Sequence, residues 1–94
     1  MDKAAKLAIL KQDLQMLTTA NDGYLGTLLD LAAGAIQREG IRLEDNIECD
    51  MLVIQYAAYL FRKRAAADTT MPRFLRWQMN NMLFSQKIGG ADDV

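Results

Sequence analysis

From Met51 to Arg64 the chain reads MLVIQYAAYLFRKR, a segment that leaves no helical face for water. Wound as a helix, it sets Ile47, Met51, Ile54, Ala58 and Phe61 along one side. Val53, Ala57 and Leu60 mark a second side, and Leu52, Tyr56 and Tyr59 fill most of the rest. A helix that is apolar nearly all round has to be surrounded by other elements. The remaining 80 or so residues (roughly four helical lengths with their turns) must therefore wrap around this one.

The flanking sequence supplies three amphipathic helices. Leu7, Leu10, Leu14 and Leu17 recur at three- and four-residue steps, which predicts a helix from about Lys3 to Leu17. Asn21-Asp22-Gly23 is turn chemistry, with Thr19 or Asn21 able to cap the next helix. That second helix is expected from about Asp22 to Glu39, with Leu25, Leu28, Leu29, Ala32, Ala35 and Ile36 inward. Gly40 stops it and Ile41 closes a Schellman-type end. Asp45 or Asn46 caps the central helix, whose first turn carries Glu48 and Asp50. A last helix is expected from about Pro72, the single proline, to Gln86, ended by Gly89-Gly90. Leu75, Met79 and Met82 share one of its faces, and Phe74, Trp77, Phe84 and Ile88 the other. No strand pattern and no repeat is visible. The fold class read from sequence is all-α: a small bundle of about four helices forming one domain over residues 1–94, with frayed ends at about 1–3 and 89–94.

Little in this chain suggests catalysis. There is no histidine, one cysteine and one serine, so neither a catalytic triad nor a Cys–His pair can be assembled. The glycines form no phosphate-cradling loop. Glu44, Asp45, Glu48 and Asp50 lack the spacing and central glycine of a calcium loop, and helix capping accounts for them better. Cys49 stands near a helix N-terminus but has no partner base, and reads as a buried or incidental cysteine. The chain is expected to be a non-enzyme that needs no cofactor and no metal. Its longest apolar run, Tyr56 to Phe61, is far short of a bilayer span, and no secretory leader is visible at the start. A soluble intracellular protein without membrane contact is expected.

Binding is the better prospect. Hydrophobic residues make up 51% of a chain whose length supports only a modest core, so part of that surface is expected to be covered by other subunits. Charge is also polarised. Residues 1–50 carry nine acids and five bases, and residues 51–94 carry three acids and six bases. Opposite poles on one small domain suit head-to-tail packing of identical copies. The bases of the second half, with Trp77 and Phe74, also admit an alternative as a small helical DNA-binding regulator. The negative total charge and the apolar last helix weigh against specific nucleic-acid recognition. The three bases Arg62, Lys63 and Arg64 have a local explanation too, since cations suit a helix C-terminus. Phe74, Trp77 and Phe84 are left divided between core and interface.

The order of segments is more telling than any one of them. YLGTLLDLAAGAIQREGI is followed by an acidic linker, then by DMLVIQYAAYLFRKR, then by a proline-initiated restart, MPRFLRWQMNNMLF. Over about residues 7 to 88 this resembles the head–tail connector, or head-completion, proteins of tailed bacteriophages and prophages. The resemblance implies an all-α, non-enzymatic virion assembly protein. Such proteins form a ring of about a dozen copies that docks between portal and tail and extends the DNA channel. It implies homo-oligomerisation, partners in the portal and the tail-proximal component, and residence in the host cytoplasm during assembly and in the virion afterwards. Carried onto this chain, it places Arg62, Lys63, Arg64, Arg73, Phe74, Arg76 and Trp77 at subunit or portal contacts.

Overall fold

The structure is a computed structural model that describes residues 1–92, with side chains through Ile88. It contains four helices: α1 (Lys3–Asp13), α2 (Asp22–Arg38), α3 (Ile47–Ala65) and α4 (Arg73–Asp92). Among the described residues there is no strand, so the all-α, four-helix expectation holds. As its composition requires, α3 is central and meets α1, α2 and α4. Cys49, Leu52, Val53, Ile54, Ala57 and Ala58 are all buried on it. They pack with Leu10 of α1, with Leu25, Leu28, Leu29, Ala32 and Ile36 of α2, and with Leu75 and Met79 of α4.

Local chemistry sets the helix ends. Asp2 caps α1 by accepting the Ala5 N–H at 2.8 Å, and Asn46 caps α3 by accepting the Cys49 N–H at 2.8 Å. At the start of α2, Asn21 occupies the cap position but its side chain makes no capping bond. Gly40 ends α2 as anticipated: its φ is +98°, its N–H reaches the Gln37 carbonyl, and Ile41 is buried behind it. Residues 1–3, read from sequence as a frayed end, are tied by the Asp2 cap and by the Met1 ammonium. That ammonium lies 3.3 Å from the carboxylate of Asp50, the one buried charged side chain among the described residues.

Three expectations are corrected. The first helix does not reach Leu17, which is 98% exposed. Gln15 adopts the left-handed conformation at φ 58°, and a Schellman pair closes α1 at Asp13: Gln15 N–H to Gln12 O and Met16 N–H to Lys11 O. Ile47 is exposed rather than core, because the first residue of α3 precedes the turn at which its neighbours close over it. The last helix starts one residue after Pro72, whose carbonyl accepts the Arg76 N–H, and runs past Gly89-Gly90 to Asp92. Of the frayed end expected at about 89–94, residues 93–94 lie outside the described residues.

α4 is the least embedded of the four helices, with α3 as its principal neighbour. Polar ties fix it to the corner between α2 and α3. Arg76 pairs with Glu39 at 2.7 Å, and the Gln86 side-chain amide both donates to and accepts from the backbone of Arg42, at 2.8 Å each way. The result is an elongated molecule, 48 × 30 × 18 Å, with a radius of gyration of 14.0 Å. A typical compact domain of this length has a radius of gyration of about 12 Å.

Candidate protein–protein interface

α4 carries two apolar seams and only one of them is buried. Leu75 and Met79 are each 1% exposed and Met82 is partly buried against the core. On the opposite side Phe74, Trp77, Phe84 and Ile88 are 55, 64, 67 and 51% exposed. Together with Asn81 these four follow steps of three, four, three and four residues, the spacing of a helix–helix seam. The exposed apolar surface is on the order of 400 Å², taking about 150–250 Å² for each aromatic side chain. A patch of that size matches the largest on a typical monomer, and such patches are often functional. The choice that sequence left open for Phe74, Trp77 and Phe84 is settled at the level of the single chain: none of them is core.

The seven residues singled out from sequence do not form one site. Arg73, Phe74 and Trp77 lie together on the outward side of the first turns of α4 and are exposed. Arg76 is on the same turn but is engaged within the chain, at 2.7 and 3.5 Å from the two carboxylate oxygens of Glu39. That hydrogen bond raises its pKa above the ordinary arginine value, while burial beside Glu39 raises that of Tyr56. The group at the end of α3 is also engaged. Arg62 holds Asp13 of α1 at 3.1 Å, Lys63 donates to the Tyr59 hydroxyl at 3.3 Å, and the Arg64 guanidinium stacks 4.8 Å from the Tyr24 ring. Arg62 is thus a fastening between α1 and α3, worth about 0–1 kcal/mol at its exposure.

Sequence reasoning missed a groove of about 710 Å³ between the first half of α3 and the middle of α4. Ile47, Met51, Leu52 and Met82 supply its apolar lining, and Glu44 and Glu48 stand beside them. Gln55 also lines it, with a buried Oε1 that has no hydrogen-bond partner. Cys49 borders the groove but is buried. Its sulfur accepts the Glu44 N–H at 3.3 Å and lies 3.9 Å from the Met82 sulfur, a packing role. Among the described residues no group of three or more cysteine or acidic side chains is arranged to hold a metal ion, and no helix is long and apolar enough to cross a membrane. Set against known proteins, the chain matches no family model, no curated protein and no solved structure. Any functional reading therefore rests on the residues themselves and on the order of the helices and their junctions.

Proposed function

We propose that the chain is a virion assembly protein of a tailed bacteriophage: a ring-forming head–tail connector that docks between portal and tail and extends the DNA channel. The observation that carries this reading is the outward seam of α4, with Phe74, Trp77, Phe84 and Ile88 left uncovered while Leu75 and Met79 complete the core. Large aromatics beside arginine are the residue types that dominate binding energy at protein interfaces. Two features of the sequence add support: the opposite charge of its halves, and the order of its helices and junctions. A contact between unlike surfaces of identical copies closes into a ring when the rotation between them permits. In such a part the protein binds and spaces its neighbours and performs no chemistry. Several bases that made DNA binding the alternative are already engaged inside the chain, Arg62 with Asp13 and Arg76 with Glu39, which reduces the free charge available to phosphates.

Native mass spectrometry and light scattering across a range of concentrations, with and without the portal complex from the same phage, test the reading. The expected result is higher-order assembly, either of the free chain or on the portal. A strict monomer that also fails to bind the portal refutes it.

A further inference from the structure

The outward seam of α4 and the groove beside α3 have matching chemistry, and they do not satisfy one another within a single chain. Phe74 and Trp77 remain more than half exposed, and the groove stays open. Among the described residues Arg73 makes no ion pair, and neither does Glu44 or Glu48 at the groove. The groove's one buried polar atom without a partner is an acceptor, Gln55 Oε1. Trp77 brings an indole N–H, a donor that usually finds a partner when buried.

We propose that the groove of one copy receives the first turns of α4 from a second copy of this chain. Phe74 and Trp77 cover Ile47, Met51 and Met82, Arg73 meets Glu44 and Glu48, and Gln55, whose Oε1 is closed off in the single chain, turns its side chain to accept the Trp77 indole N–H. This rests on the assembly reading and deepens it by naming both halves of the contact. The two surfaces differ, so each bound copy still offers one free seam and one free groove. Growth then continues to a closed ring or an open filament. A two-fold pairing of seam with seam is disfavoured by charge. Arg73 and Lys87 lie on the same flank of the seam, so two antiparallel α4 helices centred on Asn81 would bring base beside base.

Two variants separate the halves. Arg73→Ala with Trp77→Ala removes the inserting side, and Glu44→Arg with Glu48→Arg removes the receiving side. All four positions are exposed. Each variant alone should be monomeric at concentrations where the natural chain assembles, with self-association weakened at least about 30-fold. Mixed one to one, they should give a dimer and nothing larger, because a single intact seam meets a single intact groove. The mixture is its own control, since an unfolded chain cannot rebuild a defined dimer. Trp77→Phe should weaken association by at least about three- to tenfold, through loss of the N–H together with part of the ring area. The proposal is overturned if either double variant assembles like the natural chain, or if the mixture stays monomeric or grows beyond a dimer. It is also overturned if the natural chain remains monomeric up to about 1 mM. A chain that binds the portal while its self-assembly ignores these substitutions keeps the connector reading and loses this contact.

Discussion

Replacing Trp77 by alanine separates the cost of folding from the cost of assembly. Trp77 is 64% exposed, so only about a third of its surface is buried in the single chain. At about 25 cal/mol per Å², on some 150–250 Å² for a fully buried aromatic, that third is worth about 1–2 kcal/mol. Two residues along the same helix, Met79 is 1% exposed, and its truncation should cost about 2–5 kcal/mol because it empties a packed site. The two-thirds of Trp77 still facing water is the part a neighbour can cover. Its loss should weaken association by about 2–3 kcal/mol, roughly 30- to 150-fold. Urea denaturation at low protein concentration measures the first pair of numbers, and sedimentation or light scattering over a concentration series measures the last. If Trp77→Ala destabilises the monomer as severely as Met79→Ala, Trp77 is a core residue and the division of α4 into two seams fails. If it leaves both stability and association untouched, the outward seam is not a contact surface.

Three further outcomes concern the stability of the single chain. The Met1 ammonium is held above its ordinary pKa of 8.0, first by a hydrogen bond to Asp50 and then by its charge. In a chain beginning at Met1 this contribution to stability is therefore complete below about pH 8 and is lost as pH rises through the raised value. Melting temperatures between pH 7 and 10 should fall more for the natural chain than for Asp50→Asn, and parallel curves would show the pair to be idle. Gly40→Ala puts a side chain on a residue at φ +98° and a Cβ 3.4 Å from Leu83 Cδ1, so denaturation should show a loss of about 1–2 kcal/mol. Asn46→Ala removes the acceptor of the Cys49 N–H and should cost about 1 kcal/mol in the same assay, whereas Asn46→Asp should be near neutral.

What the sequence made legible is what is decided locally. Gly40 has no Cβ to forbid a positive φ, Asn46 is a good acceptor just before an apolar run, and the composition of α3 leaves it nowhere to be but the centre. Where local signals are weak, sequence and structure part. Nothing about glutamine announces that Gln15 takes the left-handed conformation, so the leucine spacing continues to Leu17 although the helix ends at Asp13. Long-range pairing was invisible as well. Arg62 and Asp13 are 49 positions apart, and Arg76 and Glu39 are 37 apart, so basic residues that looked free are fastened. The two seams of α4 could be counted from spacing, but not ranked, because both are comparably apolar. Only packing on α3 shows that Leu75 and Met79 face inward. The groove had no sequence signal at all, since its walls come from segments about 30 residues apart.

The paired hydrogen bonds between the Gln86 amide and Arg42 have a consequence for how copies of this chain can meet. From Ile41 to Glu44 the stretch joining α2 to α3 has no secondary structure of its own, and free backbone groups in such a stretch can align a foreign strand beside them. Gln86 fills both the N–H and the carbonyl of Arg42, as the backbone of an adjoining β-strand would. Main-chain zippering, the route to unregulated aggregation, is blocked there by one side chain. In the proposed assembly this leaves recognition to side-chain shape and charge, which set partner choice more narrowly than backbone pairing does.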